Sequence, residues 1–216
     1  VSAAAPAPQE PDRNCPFCPR LADFRTANRK AFPDWHNAPV PSFGPADARL
    51  LIVGLAPGLK GANRTGRPFT GDFAGDLLYR TLIDFGFAEG NYGQRPDDGL
   101  RLLDCRIANA VRCVPPENKP TPAEIKTCRP FLAGEIAAAP RRAILALGRI
   151  AHDSTAAALG QRVSALKFSH GARHATTGGP MLFDSYHCSR YNTQTGVLTE
   201  DMFRQVVGQV RSYLSG

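Results

Sequence analysis

Four short, largely apolar runs, Arg49–Gly54, Cys105–Val111, Ala143–Leu147 and Met181–Ser185, punctuate the chain, and helical patterns fill the spaces between them. A strand that is apolar at nearly every position, rather than at every second one, must be covered on both faces. When strands and helices alternate, helices packed on both sides of a mostly parallel sheet supply that cover. The pattern predicts an α/β protein of three layers, α/β/α, around a central, mostly parallel four-stranded sheet.

The helical segments are legible in the same way. Asp72–Phe85 places Leu77, Leu78, Leu82 and Phe85 at helical spacing, with Asp76 and Arg80 as an i, i+4 pair. Thr121-Pro-Ala-Glu124 is a capping box with proline at the first helical position. Gly148–Leu159 reads as a third helix, and Thr199–Leu214 closes the chain with Phe203, Val206, Val207 and Val210 inward. With 216 residues, 43% of them hydrophobic, one sizeable core can form. There is no internal repeat or long linker, so residues 14–216 read as one domain, opening with a loop-rich lead before Arg49. Residues 1–13, rich in Ala and Pro, read as a disordered tail.

No apolar run approaches the roughly 18 residues of a membrane span, and the N-terminal stretch has no apolar signal core. A cytoplasmic protein with no membrane partner is expected. The formal net charge of +7 favours a polyanionic partner.

In a sheet of this kind ligands bind beyond the carboxyl ends of the strands, where the unusual residues of this chain accumulate. The first run enters Gly54-Leu-Ala-Pro-Gly58, the second passes Asn109 to Cys113, and the fourth ends at Ser185-Tyr-His187. Gly61–Gly66 has the G-x4-G frame of a phosphate loop, but Arg67-Pro68 stands where Lys-Ser/Thr must follow, so no nucleotide cofactor is expected. The loop's glycines permit close approach of backbone to a ligand, and Arg64 and Arg67 are cations for phosphates. A plain solvated loop has the same composition.

Six cysteines are too few for a disulfide scaffold in a chain of this size. Cys15 and Cys18 form a C-x2-C pair, while Cys113 and Cys128 are a distant C-x14-C pair. Four thiolates hold either zinc or an iron-sulfur cluster, and the long second pair favours the cluster. Cys105 reads as a small core residue, a role also open to Cys188.

Five ordered motifs carry a family resemblance: Gly54-Leu-Ala-Pro-Gly58, Asn63-Arg-Thr-Gly-Arg-Pro-Phe-Thr-Gly-Asp72, Ile107–Pro116, Cys128-Arg-Pro-Phe-Leu132 and Tyr186-His-Cys-Ser189. Together they resemble the uracil-DNA glycosylases, most closely the fifth, B-type family of bacteria and archaea that carries a four-iron four-sulfur cluster. The fourth family resembles the chain less. Its first motif has an acidic residue after the glycine, where Leu55 stands here, and the acidic residue similar to the fifth family's comes later, at Asp72.

The resemblance implies a uracil-DNA glycosylase-like fold and a monomeric base-excision-repair enzyme acting on DNA with deaminated bases. It would flip out uracil, with hypoxanthine and xanthine as further candidates, and hydrolyse the N-glycosidic bond without a lyase step. Gly54, Ala56, Pro57, Gly58, Phe69 and Asn109 would bind the base, with Phe69 stacking on it and Asn109 reading its imide edge. His187 would donate to the base oxygen as negative charge develops there. Asp72 would position water and balance the sugar cation. Asn63, Arg64, Arg67, Arg190, Tyr191 and Asn192 would face DNA, the last three in a loop suited to a wedge. Cys15, Cys18, Cys113 and Cys128 would hold the 4Fe-4S cluster, with Arg112, Lys119, Lys126 and Arg129 as a flanking phosphate-facing patch.

Taken residue by residue, other roles stay open: Phe69 as a packed loop aromatic, Asn109 as a buried loop tether, His187 as a satisfied core histidine, and Asp72 as a helix cap. His36, His152, His170 and His174 have no motif context and read as surface or core residues. The residue after His187 is often proline in related glycosylases, and here it is Cys188. A catalytically silent cluster protein that binds nucleic acid and a zinc-stapled hydrolase of a small nucleotide are the competing functions.

Overall fold

The computed structural model describes residues 9–216. It contains α1 (Pro19–Ala31), β1 (Leu50–Gly54), α2 (Ala62–Thr65), α3 (Phe73–Asp84), β2 (Ala88–Glu89), β3 (Arg101–Leu102), β4 (Cys105–Asn109) and α4 (Pro122–Ala137). The second half adds β5 (Ala143–Leu147), α5 (Arg149–Ala158), β6 (Arg173–His174), β7 (Met181–Ser185), α6 (Arg190–Gln194) and α7 (Glu200–Ser215).

The main sheet has the order β4-β1-β5-β7-β6, with β4, β1, β5 and β7 parallel and β6 antiparallel at the edge. The four expected strands are present, and β6 makes a fifth. Because β6 is only two residues long, it has no periodicity for a sequence reading to detect. A separate small hairpin pairs β2 with β3.

Strand alternation sorts the core into two layers. Leu50, Ile52, Leu145 and Phe183 face Leu78 and Leu82 of α3 and Phe203 and Val207 of α7. Leu51, Val53, Ile144 and Leu182 face Leu132 and Ile136 of α4 and Ala151 of α5. This is the three-layer arrangement that doubly buried strands require.

Asp72 caps α3 by accepting from the Gly75 amide, and Thr121 and Glu124 form the expected reciprocal box at α4. Glu124 also takes two hydrogen bonds from Arg20, each 2.8 Å, which ties α1 to α4. Helix α1 replaces the expected loop-rich lead. Its buried stripe is Leu21, Arg25 and Asn28, two of them polar, so hydrophobic periodicity does not reveal it.

Of the expected tail, residues 1–8 lie outside the described residues, while residues 9–13 are placed. Glu10 accepts from the Ser42 amide at 2.9 Å and lies 3.1 Å from Arg112. Arg112, expected on a phosphate-facing patch, is instead 1% exposed and lies 3.5 Å from the buried carboxylate of Glu135. Glu135 also pairs with Arg106 and Arg141, and a cation held in so dense a network has no route to solvent. No helix among the described residues is long and apolar enough to cross a membrane.

Candidate active site and cysteine centre

Beyond the carboxyl ends of β1, β4 and β7 opens a cavity of about 800 Å3, lined by Leu55–Ala62, Phe69, Gly71–Ala74, Asn109, Asn118, His187, Ser189 and Arg190. Of the expected base-binding and catalytic residues, Ala56, Pro57, Gly58, Phe69, Asn109, Asp72 and His187 all line it. Gly54 sits behind them at the end of β1. A Cβ there would collide with Asn109 Oδ1 and come within 2.6 Å of Phe69 Cζ, so only glycine leaves both side chains where they are.

The Phe69 and His187 rings lie nearly parallel, with centroids 5.9 Å apart and planes 28° apart. His187 follows β7, and its carbonyl accepts from Asn192 Nδ2 at 2.9 Å. Among the described residues no protein group hydrogen-bonds to the His187 ring or to the Asn109 amide, which leaves their donors for a ligand in the cavity. Burial pushes the His187 imidazolium down to about 4, so the ring is neutral at physiological pH and carries one N–H.

Asp72 serves as cap and cavity wall at once. Its Oδ1 accepts from the Gly75 amide at 3.3 Å, while a Cβ on Gly61 would come within 2.5 Å of its Oδ2. Burial raises its carboxyl above the ordinary value, against the pull of the Gly75 and Ala74 amides. The helix-cap and cavity roles coexist in one side chain.

The residues expected to face DNA divide. Arg64, Arg190 and Tyr191 are exposed, Tyr191 by 73%, and Arg190 stacks over Phe73 at the cavity rim. Arg67 and Asn63 are not available to DNA. Arg67 is 4% exposed and makes a two-pronged ion pair with Asp98, at 2.8 and 2.7 Å. Asn63 is 1% exposed and donates to Asn37 Oδ1 at 2.9 Å. Asn192 is spent on the His187 carbonyl. Lys60, Phe73 and Asn118 were missed by sequence reading. They line the cavity as neighbours of motif residues or, for Asn118, from a distant turn, and only Lys60 carried a signal, its charge.

Cys15, Cys18, Cys113 and Cys128 converge on a second, small hollow, together with Pro11, Phe17, Leu21, Arg25, Val111, Arg112, Thr127 and Phe131. Arg25 Nη1 points at Cys113 Sγ from 3.6 Å, and the Arg112 amide points at Cys128 Sγ from 3.4 Å. Burial, aided by neighbouring cysteines, pushes Cys18 up to about 11 and Cys113 up to about 12. Buried in this hollow, Cys18, Cys113 and Cys128 ionise poorly unless a cationic centre is shared among them. Donors aimed at the sulfurs suit thiolates bound to such a centre. The residues therefore fit an iron-sulfur cluster. Cys105 and Cys188 are fully buried elsewhere.

Two of the remaining histidines form a separate buried network. His152 and His174 each bond one oxygen of Asp184, at 2.7 and 2.9 Å, and His152 Nε2 lies 2.9 Å from the Leu166 carbonyl.

The family model described as the uracil DNA glycosylase superfamily matches residues 41–211. A type-5 uracil-DNA glycosylase of Thermus thermophilus is 46% identical over 204 residues, covering 91% of this chain and 92% of its own length. Another of the type-5 class, from Pyrobaculum aerophilum, is 37% identical over 90% of this chain and 86% of its own length. A type-4 uracil-DNA glycosylase of the same archaeon is 34% identical over 155 residues, 71% of this chain.

Proposed function

The chain belongs to the uracil-DNA glycosylase superfamily and, within it, to the type-5 enzymes, and from that premise we propose that it excises uracil from DNA by hydrolysis, leaving an abasic site. One observation carries the reading: an aromatic face, a free amide, a neutral imidazole and a half-buried carboxylate share one cavity at the strand ends.

A flipped uracil stacks on Phe69, and the Asn109 amide meets its imide edge, which presents both an N–H and carbonyls. As the glycosidic bond breaks, negative charge moves onto the base, and the His187 N–H stabilises it without a proton having to transfer. The Asp72 carboxylate faces the sugar's positive charge and orients the water that adds to the anomeric carbon. Hypoxanthine and xanthine share the adjacent N–H and carbonyl that Asn109 reads, which supports them as further substrates. Lys60, Arg64 and Arg190 contact phosphates around the mouth, and Tyr191 fills the gap left by the flipped base. Arg190→Ala is expected to lower the slope of log Kd against log salt by about 1, as for the loss of one phosphate contact, measured by fluorescence anisotropy.

Cys15, Cys18, Cys113 and Cys128 would hold a 4Fe-4S cluster, whose contribution is to crosslink α1, the β4 exit and α4. The catalytic chemistry belongs to the cavity residues alone.

The test is a labelled duplex with one uracil opposite guanine, incubated with the protein and then treated with hot alkali. Strand breakage only after alkali supports a monofunctional glycosylase. Breakage before alkali would assign a lyase step, with Lys60 the lysine among the lining residues. Intact strands with all three bases, from protein that still binds the duplex, would overturn the reading in favour of a silent binding module.

Asp72 supplies a second expectation. Its folded-state pKa is raised, so the stability it contributes is present at low pH and is lost as pH rises through that pKa. Asp72→Asn keeps a good N-cap and removes a half-buried charge. Its Tm at neutral pH is expected to equal or slightly exceed that of the parent, while uracil release falls about 10- to 100-fold, at or below the usual range for a general base. The acid limb of the parent's pH–rate profile lies above the ordinary carboxylate pKa and disappears in the variant. A variant as active as the parent would reduce Asp72 to a helix cap.

A further inference from the structure

Phe69 holds a backbone conformation that a bulky residue rarely adopts, with φ at +51°, in the left-handed region. Such a residue persists only where its surroundings over-determine it. The surroundings here are specific. The Tyr92 hydroxyl donates to the Phe69 carbonyl at 2.9 Å, and the Tyr79 hydroxyl donates to the preceding Pro68 carbonyl at 2.6 Å. Gly75 leaves room for this arrangement, because a Cβ there would collide with both the Phe69 carbonyl and the Tyr92 hydroxyl.

Behind the tyrosines stands Arg67, with its guanidinium 5.5 Å from the Tyr79 ring centroid and 5.8 Å from that of Tyr92. It donates to Thr70 Oγ1 at 2.7 Å and forms the two-pronged pair with Asp98. Asp98 in turn accepts from the Gly93 and Leu100 amides, at 2.9 and 3.0 Å, and so shapes the segment that presents Tyr92. That segment joins β2 to β3 and shares no motif with the cavity.

We infer that Tyr92, Tyr79 and the Arg67–Asp98 pair are positioning residues for base excision, a clamp that fixes Phe69 in its strained conformation with its ring held over the cavity. The inference rests on the proposed uracil excision, with Phe69 as the stacking face. Without the clamp the backbone at Phe69 relaxes toward negative φ, and the ring swings out of its near-parallel alignment with His187. A buried cation spent on Asp98 is thus part of the active site's frame, although it touches no DNA.

Tyr92→Phe deletes one hydroxyl and keeps the ring, and Tyr79→Phe is the parallel variant if the first does not fold. The measurements are single-turnover uracil release, fluorescence of a 2-aminopurine beside the uracil as a report of flipping, and affinity for a duplex that already contains an abasic site. The expected result is release slowed about tenfold, as for one lost hydrogen bond, and a diminished flipping signal. Affinity for the abasic duplex, which offers no base to stack, stays unchanged. A merely structural role would instead lower affinity for the abasic duplex and, in a thermal melt of the same variants, Tm together, and that pattern would overturn the inference. So would parent-like release in both variants. Absence of release from the parent protein would strike the functional reading itself and is read in the same experiment.

Discussion

His187→Ala is expected to slow uracil release by about 100- to 1000-fold, the loss that follows removal of one preorganised donor from a site of developing negative charge. The imidazole sits in a wall that burial has made so unfavourable to charge that its pKa falls to about 4, and among the described residues no protein group shares its ring nitrogens. An N–H held ready in that setting needs no reorganisation as the base turns anionic. His187→Gln keeps a donor on a more mobile side chain and should recover part of the rate. Because the effect belongs to the transition state, kcat falls and binding of uncleaved DNA changes little. Stability moves with pH in a defined sense. The folded state binds this proton less tightly than the unfolded chain, so His187 costs stability as pH falls from about 6.5 toward 4, and the alanine variant loses that part of the acid sensitivity. Single-turnover rates within threefold of the parent would remove His187 from the chemistry.

The sequence made the layers of this fold legible wherever burial follows a period. Ile52, Ile107 and Leu145 lie side by side across three strands, and each belongs to a run apolar enough to demand cover on both faces. Legibility ended where a polar residue is buried by a partner distant in sequence. Arg64 and Arg67 are three residues apart in one glycine-rich loop, yet one is exposed and the other buried. The difference is made by Asp98, on a segment that no local pattern connects to the loop. Asn63 has its partner in Asn37, and Arg112 has its partner in Glu135. Composition and spacing describe what a side chain can bond, and only the closed fold decides which partner arrives first. The four cysteines that line one hollow were readable as a set, since thiols stand out by type, while Arg25 beside Cys113 was not. Helix α1 was lost because its buried stripe carries Arg25 and Asn28 where an apolar pattern would carry leucines.

With that polar stripe, α1 is the element expected to depend most on the proposed cysteine-held cluster. Leu21 is its one fully buried hydrophobic residue, and its other holds include the Arg20–Glu124 pair, the bonds that Arg25 donates to the Cys15 carbonyl and Arg29 to the Asn37 carbonyl, and the bond that the Asn28 carbonyl accepts from Asn37 Nδ2. Cys18 is the N-cap of this helix, and 94 residues separate it from Cys113. Closing a loop of about that length by a covalent link restricts the unfolded chain by roughly 4–5 kcal/mol in the chain-entropy model. At 2–4 °C per kcal/mol for a protein of this size, Cys18→Ser is expected to lower Tm by about 10–15 °C. Visible charge-transfer absorbance should disappear, and helical circular dichroism should fall by the share of the 13 residues of α1. The damage should also reach the cavity. Asn28 and Phe32 carbonyls hold the Asn37 side chain, which receives the Asn63 amide, and the Asn63 backbone N–H bonds Gly58 O in the cavity wall. Uracil release by the folded variant should therefore fall as well, by less than in His187→Ala, because the reacting groups remain. A colourless parent protein containing one zinc would replace the cluster with a tetrahedral ion and leave the crosslinking argument intact. A variant with parent Tm and full helicity would show that α1 is held by its polar contacts alone.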